Sequence, residues 1–149
     1  PMNEQAGAPR VVDLADKALY RYWTPVTMRF SDQDSMGHVN NVSYAAYYES
    51  GRVAYGVDFI KAAGRTDIDF MIVMLSINYI EQMHYPGTVE VGSQVLKLGN
   101  KSMTIGHGIF VDGRAMSTAE CVVVFIDSIT RATIVIPDDV RALLTKDMP

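Results

Sequence analysis

The sequence predicts an α+β domain in which an antiparallel β-sheet wraps around one long central helix. Three observations carry that expectation. A helical pattern that begins near Asn40 is followed by a run of strand-like segments. Asp112 and Gly113 stand between two of those segments as a two-residue hairpin signal. The segment STAECVVVFID, Ser117 to Asp127, is apolar on both faces, as a central strand covered from two sides must be.

Taken in order, Val11, Leu14, Ala15, Ala18, Leu19 and Tyr22 recur at helical spacing, which predicts an N-terminal helix over Val11 to Trp23. In TPVTMRFS, Val26, Met28 and Phe30 alternate with Thr27 and Arg29, so the chain should enter the acidic stretch that follows as a strand. Asn40 and Asn41 are N-cap residue types. After them Val42, Ala45, Ala46, Glu49, Val53, Ala54 and Val57 trace one stripe of a long helix, beside a second stripe of Tyr44, Tyr48, Gly51 and Tyr55. Such a tyrosine stripe is more often core packing or a subunit contact than a ligand site. Gly51 costs about 1 kcal/mol relative to alanine in a helix interior, so close approach by a strand or ligand is its natural explanation.

DFMIVMLSINYIEQ, TVEVGSQVLKLG and SMTIGHGIFV then have strand length and strand composition. After STAECVVVFID, the stretch SITR turns the chain into a last short strand, ATIVI, and PDDVRALL begins a C-terminal helix with a proline and two acids in its first turn. One long helix cannot cover both faces of such a sheet. A second copy of the chain is the simplest cover, so a homodimer or a dimer of dimers is expected.

Composition narrows the possible functions. At 149 residues the chain fits one compact domain, and 48% apolar residues with a mean hydropathy of +0.06 exclude a disordered chain. No apolar run approaches the roughly 20 residues of a membrane span, and no secretory pattern opens the sequence, so no membrane contact and a cytoplasmic location are expected. The single cysteine, Cys121, lies in the apolar run AECVVVFI and is expected to be a buried, inert thiol. A net charge of -4 and a pI near 5.2 argue against nucleic acid as a partner, while leaving room for a local basic patch that holds a small phosphorylated ligand.

The chemistry is concentrated in RFSDQDSMGHVNN, Arg29 to Asn41. DQDSMG imitates the opening of a calcium loop, but Met36 and Ser43 occupy positions that need oxygen ligands and glutamate. His38, His84 and His107 lack paired metal-ligand spacing, and each is more often a satisfied structural histidine. Neither a metal nor a cofactor is expected. An acid beside a helix N-terminus is different. Unpaired N–H groups and the positive dipole end can stabilise the oxyanion formed when a carbonyl is attacked, and the acid can attack it or activate water. Gly37 supplies the sharp turn between acid and helix. These are the parts of acyl transfer.

DQDSMGHVNNVSYAAYYESGR resembles the D-x-D-x-x-G-H-V-N-N signature of hotdog-fold acyl-CoA thioesterases of the 4-hydroxybenzoyl-CoA thioesterase type. The HVNN variant is also similar to acyl-carrier-protein thioesterases. The resemblance runs from about Pro25 to Leu144 and implies an N-terminal extension with a helix over residues 1–24 and a hotdog thioesterase domain over 25–149. It implies Asp34 as general base or nucleophile, Asp32 as a structural acid, and the backbone N–H of Asn41 or its neighbours as the oxyanion contact. His38 and Asn40 would position water or thioester, with a capping role for Asn40 about as well supported. Glu49, three residues from Arg52 and able simply to pair with it, is the reserve base.

Gly37, Tyr44 and Tyr48 would meet the acyl group. Lys97, Lys101, Ser102 and Arg131 fall in the regions that would hold the phosphates of the substrate. After Gly37 the sequence departs from the aromatic-specific members, which favours an aliphatic acyl-CoA or acyl-carrier-protein thioester. Two alternatives stand beside hydrolysis: an enoyl-thioester hydratase or dehydratase using His38 with Asp34, and a protein that binds acyl thioesters without cleaving them.

Overall fold

The computed structural model describes residues 12–149. Along the chain lie β1 (Tyr22–Thr27), α1 (Asn41–Ala62), β2 (Ile68–Tyr79), β3 (Thr88–Leu98), β4 (Ser102–Val111), β5 (Arg114–Asp127) and α2 (Asp138–Asp147). The strands form one antiparallel sheet in the order β1-β3-β4-β5-β2, which leaves β1 and β2 as its edges. At the β4–β5 hairpin Asp112 and Gly113 have φ of 50° and 79°, the positive pair that a primed turn demands. Alternate residues of β3, β4 and β5, among them Val91, Ile105, Cys121 and Val123, are fully buried in the core on the face that α1 crosses.

The tyrosine stripe of α1, not the valine stripe, faces the sheet. Tyr44, Tyr47, Tyr48, Gly51, Arg52, Tyr55, Gly56 and Phe59 are buried, whereas Val42, Val53 and Val57 are 69%, 48% and 58% exposed. Both stripes are apolar, but the aromatic one buries more area, and its glycines let the helix sit close to the sheet. A methyl group on Gly51 would stand 2.5 Å from Val91 Cγ1, and one on Gly56 would overlap the Phe70 ring. Gly51 thus marks the approach of a strand. At the far end of the sheet α2 inserts Val140 and Leu144 into the cluster formed by Phe59, Val95, Met103 and Phe125.

Two local expectations give way. Over the described part of Val11 to Trp23 there is a single 3₁₀ turn, Lys17–Leu19, and Tyr22 and Trp23 already lie in β1; Val11 falls outside the described residues. Tyr20 explains the change. Its ring fills the space over Gly92, meets Trp23 and Phe110 edge-on at 5.6 and 5.9 Å, and its hydroxyl donates to the Leu14 carbonyl. The segment therefore lies flat on the sheet face opposite α1. The expected strand ATIVI is reduced to one bridge between Thr133 and Ile126, because a tight turn precedes it: Asp127 Oδ1 accepts from the N–H groups of Ile129 and Thr130, and Arg131 has φ of 64°.

Candidate active site

Between β1 and α1 the two acids of the motif have different fates. Asp32 is 2% exposed and accepts hydrogen bonds from Arg29 N (2.8 Å), the Arg29 guanidinium (3.0 and 2.9 Å) and Tyr47 Oη (2.7 Å). Burial works against its charge, but those donors outweigh it and hold the carboxyl below the usual carboxylate range. Its carbonyl accepts from Asn40 N and Ser43 Oγ, at 2.7 and 3.1 Å, which fastens the loop to the start of α1. The carboxylate of Asp32 is occupied in holding the loop.

Asp34 is held on one side only. Its Oδ1 accepts from Met36 N at 2.9 Å and His38 N at 3.3 Å, while among the described residues no donor reaches Oδ2. The turn is closed by Asp34 N donating to His38 O and Gly37 N donating to Asp34 O, with Gly37 at φ 81°. Few residues other than glycine adopt that conformation at low cost. Asn40 is the N-cap of α1: its side chain accepts from Val42 N at 3.0 Å and its carbonyl from Ser43 N at 2.9 Å. Of the first N–H groups of the helix, that of Asn41 is thus left over among the described residues.

Asp34, His38, Asn41 and Tyr44 line one cleft of about 390 Å³, with Tyr79, Ile80, Glu81 and Gln82 on its opposite wall. Tyr79 Oη donates to the Asn41 carbonyl (3.1 Å) and Tyr44 Oη to the Glu81 carbonyl (3.0 Å), and their rings meet edge-on at 5.0 Å. These bonds join the end of β2 to the start of α1. Gly37 and Asn40 are not among the lining residues; they hold the turn and the helix start next to it. A carboxylate residue and a residue with an unspent helix N–H lining one cavity are the parts that attack on a carbonyl and capture of the oxyanion require.

Other expected residues lie elsewhere. Tyr48 is fully buried, donating to Ser117 Oγ at 2.7 Å, and belongs to the core rather than the cleft. Glu49 points outward from α1, 69% exposed, 3.8 Å from Arg52. Lys97, Lys101, Ser102 and Arg131 are at the other end of the sheet. Tyr79 pairs with Ser117 and Ser102 with Val124, a separation along β5 of about 20 Å at the rise of a strand. Arg131 pairs there with Asp69 at 3.2 Å. Sequence spacing gave no hint of Tyr79, Glu81 or His84. The His84 ring lies edge-on to His38 at 5.3 Å, with Nδ1 3.3 Å from the Gly37 carbonyl. Among the described residues no cluster of three or more His, Cys, Asp or Glu side chains forms a metal site.

Comparison with known proteins identifies the fold and the family. The structure superposes on the predicted thioesterase of Bacillus stearothermophilus with a TM-score of 0.75 at 28% identity, covering 86% of this chain and 96% of that one. The PA5185 protein of Pseudomonas aeruginosa gives 0.74 at 27%, covering 88% and 94%. The DHNA-CoA thioesterase of Staphylococcus aureus gives 0.71 at 21%, covering 84% and 91%, a likeness of fold. The architecture is the hotdog fold. Residues 28–144 match the family model of the thioesterase-like superfamily, and the chain belongs to that superfamily.

Proposed function

We propose that the protein hydrolyses the thioester of an aliphatic acyl-CoA to the free acid and CoA. The observation that carries this reading is the shared cleft of Asp34, with one carboxylate oxygen fixed by two N–H groups and the other open, and the unspent N–H of Asn41. Asp34 takes a proton from water as the water oxygen attacks the carbonyl carbon. The carbonyl electron pair moves to oxygen and is held by Asn41 N–H. On its return the C–S bond breaks, and the CoA thiolate leaves and takes up a proton. His38 and the Asn40 cap fix the turn and helix start in this scheme.

A second copy of the chain fits the same reading. Antiparallel pairing of β2 with its own copy would bring the partner subunit's Arg131 and Lys101 toward the Tyr79 end of this chain, where the substrate phosphates would emerge. The test is thiol release from acyl-CoAs of increasing chain length, with benzoyl-CoA and phenylacetyl-CoA beside them. Asp34→Asn should lose at least about 100-fold in kcat with unchanged circular dichroism. Near-normal turnover in folded Asp34→Asn would move the chemistry to Glu49 or elsewhere.

A further inference from the structure

Residues 80–87, between β2 and β3, form a strap behind the Asp34 turn. Its start is fixed to β5 by Ile80 N and Glu81 N, both donating to Met116 O at 3.0 and 3.1 Å. Its end is fixed by Met28 N donating to Gly87 O at 2.9 Å, and its middle by buried Met83, whose carbonyl accepts from Val39 N at 2.8 Å. From this strap His84 reaches the tip of the turn at Gly37 O, 47 residues away in sequence. A carbonyl can only accept, so Nδ1 of His84 carries the proton.

The carbonyl that His84 holds and the N–H that holds Asp34 belong to one peptide unit. Gly37 contributes the C=O and His38 the N–H, and in a planar trans peptide these point in opposite directions. A chain of two hydrogen bonds therefore runs from His84 Nδ1 through that peptide to Asp34 Oδ1, and each bond polarises the next. Gly37 needs such a restraint, since glycine is the residue of the turn most free to change conformation. Resting on the thioesterase reading, we infer that His84 is a positioning residue: through the Gly37–His38 peptide it fixes the Asp34 carboxylate with its open oxygen toward the cleft.

The test compares His84→Phe, which keeps a ring against His38 but has no donor, with His84→Asn, whose Nδ2 can replace Nδ1. For His84→Phe, kcat should fall about tenfold, the worth of one good hydrogen bond, with KM within about twofold. His84→Asn should recover at least half of the wild-type kcat. Hydrogen exchange at the His38 amide should quicken about tenfold in His84→Phe and stay near wild type in His84→Asn. Unchanged kcat in His84→Phe, a loss confined to KM, or equal impairment of both variants would overturn the proposal.

If the wild-type protein cleaves no thioester, the hydrolysis reading fails, and exchange at the His38 amide decides the role of His84 alone. Unchanged exchange in His84→Phe would then sink it. Should a variant not fold, ¹⁵N spectra of the wild-type imidazole serve instead: a protonated Nδ1 supports the proposal, and a bare Nδ1 overturns it.

Discussion

His107 shows how a single buried side chain ties stability to pH. It is fully buried in β4 under α1, with Nδ1 near Gly92 O (3.2 Å) and Ser93 Oγ (3.0 Å), and Nε2 3.5 Å from Cys121 Sγ. Burial lowers its pKa to about 4; the Gly92 carbonyl opposes the shift and Arg52 adds to it. Between pH 6.5 and 4 the unfolded chain therefore binds a proton that the folded chain does not, and stability falls as the solution is acidified through that window. The loss is about 3 kcal/mol by pH 4, to be read from urea midpoints between pH 7.5 and 4. His107→Gln should flatten this window even if it is less stable at pH 7. Asp32 has the opposite form, a depressed acid, and its contribution is lost only as pH falls below the ordinary carboxylate range toward its own lower pKa. Cys121, His107 and Ser93 stand in the order of nucleophile, base and orienting group, yet the site is closed: Cys121 is 0% exposed and burial pushes its thiol up to about 11. A thiol reagent should label the native protein negligibly and the urea-unfolded chain fully, which also keeps a thiol-release assay free of background. The inert thiol was legible from the apolar run around it; its histidine neighbour, in another strand, was not.

At the level of single elements, α1 carries both the clearest and the most misleading sequence signals. Its start at Asn40 and Asn41 was legible because capping is local chemistry, and so was the Asp34 turn ending in Gly37. Its orientation was not, because periodicity locates apolar stripes without saying which one meets the sheet. That choice depended on Gly51 and Gly56, whose missing side chains make room for Val91 and Phe70. Gly51→Ala tests the point against ordinary helix propensity. In an exposed helix it would stabilise by about 1 kcal/mol, but here overpacking against fully buried Val91 should make it destabilising by about 1–3 kcal/mol. Adding Val91→Ala should remove most of the extra cost, a coupling measurable in a double-mutant denaturation cycle. The N-terminal segment failed as a helix for a similar reason: its spacing was helical, but Tyr20 is drawn onto Gly92 and Phe110, a contact with no local signature. Half of the cleft was hidden likewise, because Tyr79, Ile80, Glu81 and Gln82 reach it from the end of β2, with the whole of α1 and β2 between them and the acidic motif in sequence.

For the whole molecule the two edges of the sheet differ in a way that bears on assembly. β1 contains Pro25, which cannot donate to a neighbouring strand and so blunts that edge. β2 runs for 12 residues with neither proline nor a charge after Asp69, and Met71, Ile72, Val73 and Met74 are 48%, 38%, 56% and 40% exposed. α1 also turns outward the apolar stripe of Val42, Val53 and Val57. An open strand edge with exposed apolar side chains invites pairing, and pairing with its own copy closes it by a twofold axis. The same pairing would supply, from the partner, the basic residues that lie about 20 Å from the cleft within one chain. Val73→Lys should therefore do two things at once. Sedimentation velocity at micromolar concentration should change from dimer or larger to monomer, and thioester turnover should fall through a raised KM, since the acid and the helix N–H remain in one chain while the remote cations are withdrawn. Monomers of Val73→Lys with the KM of the wild-type protein would mean that one chain carries a complete site and that β2 closes for stability alone. A Val73→Lys protein that stays dimeric would move the interface to another face.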